Sequence, residues 1–482
     1  MTNSDSPIIF WFRRDLRITD HPGFHAACAT GRPVIPVFLH DEGVERLGAA
    51  PKFRLGLGLA AFAAELERLG SALILRRGPA LQSLQALVEE TGAGAVWWTR
   101  GYDSVTIDRD TGVKTWFNSN DIDARSFPGH LLFEPWKVTT VTGGYYKVYS
   151  PFWRAVCQRD VGPALPAPSR FVKPAFWPET EALSSWQMDA PVNRAAPILR
   201  RHQSPGEVAA LAKLDRFIGD RIGSYKNNRD FPALDATSEL SDHFSLGELS
   251  PRIAWHRAQE AMRAGSAGAE HFLKELVWRE FAYHLMFNSP RILDRNWREE
   301  WDNFPWSEDP ENPGFVRWCR GQTGVPMVDA AMREMYVTGR MHNRARMIAA
   351  SYLTKHLMIH WKLGMDWFAE CLTDWDPASN AMGWQWVAGS GPDAAPYFRV
   401  FNPETQAAKF DPDGAYVNRW VAEGQARPAA TALEFFDAIP RGWGLSPEGT
   451  YPIPGIALDA GRKRALAAYS TAFPPRNDAK LA

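Results

Sequence analysis

The chain reads as an open α/β N-terminal domain followed by a large all-helical C-terminal domain, on three observations. Over residues 7–140, short apolar runs alternate with amphipathic stretches of helical spacing, the pattern of a parallel sheet with crossover helices. After 205 the helical spacing continues almost to the end. Between the two, 155–200 turns Pro-rich and loses periodicity. With 482 residues, the chain is also too long for one ordinary core. The expected division is 1–140, the α/β domain; 141–204, a connector; and 205–482, the helical domain.

In chain order, Ile8–Phe12, Val34–Phe38, Ala72–Leu75 and Ala95–Trp98 are continuous apolar runs, as strands buried on both faces require. Helices are expected near 54–69, 81–91 and 106–118. No Gly-x-Gly-x-x-Gly follows the first strand, so the sheet is Rossmann-like without the glycine fingerprint, and a dinucleotide at that strand end is not supported. The connector carries Gly-Pro-Ala-Leu-Pro-Ala-Pro-Ser and Lys-Pro-Ala-Phe-Trp-Pro and is expected to wrap the surface. Further helices are expected near 206–221, 250–263, 269–287, 327–337, 341–362 and 365–372. Pro326 serves as a start and Gly339 as a stop. The stretch after 425, with a short helix at 458–469, reads as a peripheral cover.

Composition excludes several classes. No apolar run of about 18 residues spans a membrane, and the first residues lack the regions of a signal peptide, so a cytoplasmic protein is expected. Cys28, Cys157, Cys319 and Cys371 are scattered without Cys-x-x-Cys spacing, which speaks against a metal site or a disulfide framework and for buried thiols. Net charge is −1, yet 317–362 holds eight Lys/Arg against Asp329 and Glu334, a local excess of six. Such a run suits either a phosphate-binding face or a solvated helix face.

Chemistry concentrates in 374–403, Asp-Trp-Asp-Pro-Ala-Ser-Asn-Ala-Met-Gly-Trp-Gln-Trp through Tyr-Phe-Arg-Val-Phe-Asn-Pro. Asp374, Asp376 and Asn380 beside Trp384 and Trp386 suit neither a solvent loop nor a plain core, because buried polar groups need partners. The mixture fits a large, flat ligand with polar edges, and the small residues let backbone approach it. Thr237, Ser238, Glu239, Leu240 and Ser241 read, taken alone, as a helix N-cap cluster. Glu275 and Trp278, three apart on a helical stretch, share a face.

These stretches closely resemble the photolyase/cryptochrome family: the Asn-x-x-x-Trp-Gln-Trp run with Asp-Ala-x-Pro-Tyr-Phe-Arg-x-Phe-Asn-Pro, Phe-Arg-Arg-Asp-Leu-Arg at 12–17, Arg-Asp-Phe-Pro-x-Leu and Thr-Ser-x-Leu-Ser at 229–241, Leu-Val-Trp-Arg-Glu-Phe at 276–281 and Met-His-Asn-Arg at 341–344. The resemblance implies a U-shaped FAD, active in its reduced anionic form. Tyr225 and Thr237–Ser241 would hold its diphosphate. Phe272, Arg279, Asn343, Arg346, Asp374, Asp376 and Asn380 would line the rest. Arg346 and Asp374 match an ion pair beside the flavin, Asn380 faces flavin N5, and Phe272 stands where some members carry Trp.

The same resemblance implies UV-damaged DNA containing pyrimidine dimers as substrate. Arg229, Glu275, Trp278, Asn343, Arg344, Met347 and Trp386 would form the lesion pocket, with Glu275 on the dimer's carbonyl edge. Trp384, Trp361 and Trp306 match the chain that carries electrons to photoexcited flavin, with Trp367 and Trp375 as a parallel branch. A second, antenna chromophore is implied in the α/β domain, with methenyltetrahydrofolate favoured over deazaflavin and Glu134 as its contact. The expectation is therefore a monomeric, light-driven cyclobutane pyrimidine dimer photolyase with no metal and no obligate protein partner. A (6-4) photolyase is disfavoured by Asn343 in place of His. A non-catalytic cryptochrome receptor is disfavoured by Asn380, Glu275 and Trp278, and an ordinary flavoprotein oxidoreductase lacks a nicotinamide fingerprint.

Overall fold

The computed structural model describes residues 6–474. Five strands, β1 (Ile8–Phe12), β2 (Val34–His40), β3 (Ile74–Arg77), β4 (Ala95–Thr99) and β5 (Asp123–Phe127), form an all-parallel sheet in the order β3-β2-β1-β4-β5. The central strands β1, β2 and β4 are buried at every position, as a sheet with helices on both faces demands. Crossover helices Ala49–Arg68, Ala80–Thr91 and Ser104–Ser119 fall where helical spacing predicts them. β5 has no counterpart in the sequence expectation. Its residues Asp-Ala-Arg-Ser-Phe are largely polar, because an edge strand pairs only with β4 and needs no apolar run.

The opposite edge is closed by the connector. Val34 N donates to Val172 O at 3.2 Å, Leu75 N to Thr180 Oγ1 at 2.9 Å, and Glu181 N to Leu75 O at 3.0 Å. The Pro-rich stretch thus covers β3 instead of merely spanning two bodies.

Beyond it the chain is helical, around a core that includes Trp255, Trp318, Trp361 and Tyr352. Pro326 opens the Pro326–Thr338 helix, and Gly339 ends it in the left-handed region at φ 70°. The single helix expected over 341–362 is two. Asn343–Ser351, capped by His342, widens into a π turn at Tyr352–His356; Met358 then takes φ 55°, and Trp361–Cys371 begins anew under a His360 cap. The break lets Met358–His360 bond Ser307: Ser307 N donates to Met358 O at 2.8 Å and His360 N to Ser307 O at 2.9 Å. Pro377–Ala388, within the motif-rich segment, is also a helix.

Two composition expectations need correction. Only Cys371 of the four thiols is buried; the others are half-covered. The basic run of 317–362 is not one surface stripe, since Arg333 is fully buried on Glu423 at 2.6 Å and Lys355 is also inside. Tertiary packing covers both, Arg333 lying over Phe435 and Phe436 and Lys355 donating to Arg399 O. Among the described residues, no helix is long and apolar enough to cross a membrane.

Candidate functional site

The Pro377–Ala388 helix organises the site. Asp376 is its N-cap, accepting from Ser379 N at 2.8 Å, and Pro377 at the first position adds no unsatisfied N–H. One turn on, the Asn380 side chain donates to Asp376 O at 3.0 Å and is buried. Two turns on, Trp384 packs against Gly364 of the preceding helix so closely that a Cβ there would lie 2.2 Å from the indole.

Asp374, just before the cap, accepts from Arg346 Nη2 at 2.7 Å, the ion pair expected from the sequence. The arginine is further fixed by donating to Met341 O at 2.8 Å. The other carboxylate oxygen, Asp374 Oδ1, is buried and has no protein partner. Asn343 and Arg344 begin the Asn343–Ser351 helix. The Asn343 amide is exposed and reaches Met347 Sδ at 3.9 Å, while Arg344 pairs with Asp230 at 2.9 Å and lies over Phe410.

Tyr225 and Phe272 are buried together against Phe217. Thr237–Ser241 runs into the short Ser241–Leu246 helix, with Glu239 at φ 50°. Among the described residues, none of the backbone amides of Thr237, Ser238, Glu239, Leu240 or Ser241 meets an acceptor. Side-chain capping, the alternative for this cluster, is not seen. A row of free N–H groups beside Arg340 and Lys213 suits a diphosphate. With the unpartnered Asp374 oxygen and the neutral Asn380 amide, these residues fit FAD.

Arg279 turns toward neighbouring side chains, donating to Glu280 at 3.1 Å and to His130 at 2.9 Å. Burial pushes the Glu280 carboxyl up to about 7 against the pull of Arg279 and of two backbone amides, and burial holds His130 well below its usual range. Asp376 Oδ2 accepts from Tyr283 Oη at 2.5 Å and from Arg14 Nη2 at 2.8 Å. Burial alone would raise this carboxyl; Arg14, then Arg279, Tyr283 and the Ser379 amide more than reverse the effect and hold it below the ordinary range.

The Ala269–Asn288 helix carries a second face. Glu275 pairs with Arg229, and Trp278 stacks on Tyr149 with centroids 3.6 Å apart and planes at 6°. Tyr149 is anchored by its hydroxyl to Lys274 O at 2.7 Å. Trp278 and Trp386 are both half-buried, and no ring contact joins them among the described residues.

Trp361 is fully buried, donates to Asn296 Oδ1 at 2.8 Å and meets His360 at 5.2 Å, which meets Trp306 at 5.4 Å. Trp384 has Trp318 at 6.0 Å and Phe368 at 4.9 Å as ring neighbours; Gly364, one turn from Trp361, links it to that indole's helix. Trp367 and Trp375 are half-buried. Glu134 accepts from Arg100 at 2.8 Å and from Tyr102 Oη at 3.2 Å, beside Trp136, which is 44% exposed.

Arg14, His130, Tyr149, Tyr283 and Trp318 were not among the expected site residues. Arg14 lies inside the Phe-Arg-Arg-Asp-Leu-Arg motif; the others carry no local signal, because only tertiary packing brings them in.

Comparison with known proteins bears on the family of the chain. Residues 8–169 match the family described as DNA photolyase, and residues 272–471 match the FAD binding domain of DNA photolyase. A deoxyribodipyrimidine photo-lyase of Agrobacterium fabrum is 43% identical over 98% of this chain and 99% of its own length. The crystal structure of a bacterial class III photolyase from Agrobacterium tumefaciens superposes with a TM-score of 0.89 at 43% identity, covering 97% of this chain and 98% of that one. A Synechocystis cryptochrome superposes with a TM-score of 0.82 at 26% identity, covering 96% and 99%. The chain belongs to the photolyase/cryptochrome family.

Proposed function

We propose that the protein is a deoxyribodipyrimidine photo-lyase that repairs cyclobutane pyrimidine dimers in DNA. One observation carries the proposal: a single helix, Ala269–Asn288, bears the Glu275–Trp278 face and, two turns further on, Tyr283, which bonds the Asp376 cap of the helix that bears Asn380. A lesion face and a flavin face thus sit on one rigid element.

FAD, when bound, supplies absorption of visible light and the electron that opens the cyclobutane ring and is returned afterwards. The amides of 237–241 and Tyr225 hold its diphosphate end. Arg346, paired to Asp374, places a cation that favours the reduced anionic form. Asn380 offers a neutral amide whose charge does not change with redox state. Trp278, backed by Tyr149, presents one open ring face for a base turned out of the duplex, and Trp386 adds apolar wall. Glu275, released from Arg229 and carrying a proton, donates to the dimer's carbonyl edge, where negative charge builds up, while Arg229, Asn343, Arg344 and Met347 line that pocket or the strand beside it. Trp384, Trp361 and Trp306, all buried, are the oxidisable indoles of the electron route, with His360 between the last two.

The division into 1–140, 141–204 and 205–482, a monomeric state and a cytoplasmic location belong to the same proposal. So does a folate antenna at Glu134, whose oxygens retain acceptor capacity beside the exposed Trp136. A cryptochrome-type receptor is the second reading, favoured by the shared fold of the Synechocystis protein.

Titration of FAD-loaded protein with duplexes that do or do not contain one thymine dimer, at several salt concentrations, separates the two. A repair pocket predicts tighter binding to the damaged duplex, since a lesion is easier to unstack, and weakening of both as salt rises. Equal affinity for both duplexes contradicts the repair reading.

A further inference from the structure

The turn after β1 presents three arginines that go to different places. Arg13 stays in the α/β layer, on Asp110 at 2.8 Å. Arg17 binds the carbonyls of Asp20, Gly129 and Gly247. Arg14 alone reaches side chain and backbone of the candidate flavin site: Nη2 donates to Asp376 Oδ2 at 2.8 Å and Nε to Ser245 O at 2.6 Å. Its two acceptors lie on separate segments, the cap of the Pro377–Ala388 helix and the Ser241–Leu246 helix.

The approach is close. Leu16 N donates to Leu246 O at 3.1 Å, and a Cβ on Gly247, at φ 69°, would lie 2.2 Å from Arg14 O. No other residue fits where this turn meets the helix. The side chain of Arg14 is 37% exposed against 9% for Asp376, so the carboxylate is the more covered partner of the pair.

We propose, on the reading that these segments hold FAD, that Arg14 is a positioning residue: the α/β layer lends one guanidinium that ties the diphosphate-side helix to the cap of the Asn380 helix and so completes the flavin site. Neutral glutamine cannot hold both acceptors with charge, and lysine keeps the charge but offers no rigid fork to span two of them. The groups around the Asp376 carboxylate are Arg14 from the β1 turn, Arg279 and Tyr283 from the Ala269–Asn288 helix, His130 from the loop after β5 and the Ser379 amide of its own helix; Asp103 faces Arg14. A carboxyl held low stays ionised above its unfolded value and loses its stabilising role only as pH falls through the lowered one. Removing Arg14 lets burial raise it, so the acid limb moves to higher pH.

The test compares parent, Arg14→Gln, Arg14→Lys and Arg13→Gln for FAD bound per chain and for the Kd of FAD by fluorescence from about pH 2 to 8, with circular dichroism of each apoprotein at each pH. Arg14→Gln is expected to bind FAD about tenfold more weakly and to begin losing it about one pH unit above the parent. Arg14→Lys should keep the parent's acid limb with a raised Kd, and Arg13→Gln should match the parent in both. If Arg14→Gln fails to fold by circular dichroism, the lysine variant decides: a raised Kd with an unmoved acid limb supports the bridge, and parent-like values in both overturn it. Parent-like Kd and acid limb in Arg14→Gln, or equal loss in Arg13→Gln, also overturn the proposal. A parent that takes up no FAD at any pH overturns instead the assignment of the site itself.

Discussion

Gly364 is where one missing Cβ decides a functional geometry. A methyl there would lie 2.2 Å from the Trp384 indole and 2.6 Å from Leu353. Neither neighbour is a flexible chain end, so Gly364→Ala should cost about 1–3 kcal/mol through overpacking and turn Trp384 away from the Trp361 helix. The expected outcome is a lower Tm together with slower light-driven reduction of bound FAD; parent-like values in both would show that the indole sits elsewhere.

On the proposed lesion face, Glu275→Ala and Trp278→Ala should separate. In the proposed role the Glu275 carboxyl donates to an oxygen whose negative charge develops only during reaction, so its loss should reduce repair per absorbed photon more than DNA affinity. Trp278→Ala removes a stacking face worth roughly 1–3 kcal/mol and should weaken binding first. Quantum yields and Kd values for dimer-containing duplex check both. Glu275 and Trp278 are legible from spacing and motif, whereas Tyr149, which fixes the Trp278 plane, is 129 residues earlier and invisible to any local pattern.

Among elements, the π turn Tyr352–His356 is the least expected. It places Lys355 and His356 inside, under the Leu458–Ala472 helix, where Arg464 donates to His356 O at 2.6 Å. Lys355 Nζ donates to Arg399 O at 2.9 Å, and burial, with Arg399 nearby, lowers its pKa to about 7. Its pKa is thus lower in the folded chain than the ordinary 10.5. Between these values the unfolded chain holds a proton that the folded one does not, so stability rises with pH across this window. Lys355→Met should raise Tm at pH 7, on the order of 2 °C, and the gain should shrink toward pH 10. A gain that is constant with pH would assign the effect to packing.

The same stretch shows why boundaries escape sequence reading. Apolar spacing runs through 341–362 as one helix, and only the bonds to Ser307 reveal the break at Met358. Pro326 and Gly339, by contrast, mark their helix ends because their constraint is in the backbone itself. β5 escaped for the opposite reason, an edge strand without an apolar signature.

At the scale of the molecule, the two halves are joined by charge and by close backbone approach. Arg54, on the Ala49–Arg68 helix, is fully buried on Asp242 and Glu248, and Arg14 reaches Asp376. Four-strand α/β character and the helical half follow from periodicity. That Arg14 of one half reaches Asp376 of the other does not, because a motif such as Phe-Arg-Arg-Asp-Leu-Arg names its arginines without naming their acceptors.

The proposed activity is light-driven reversal of pyrimidine dimers. The most direct measurement illuminates FAD-loaded, chemically reduced protein with DNA containing a cyclobutane thymine dimer and quantifies restored thymines against a dark control. Restoration in the light alone, over many turnovers per protein and with no net oxidation of the protein, is the predicted result; tight FAD binding with no thymine restored in the light would contradict it.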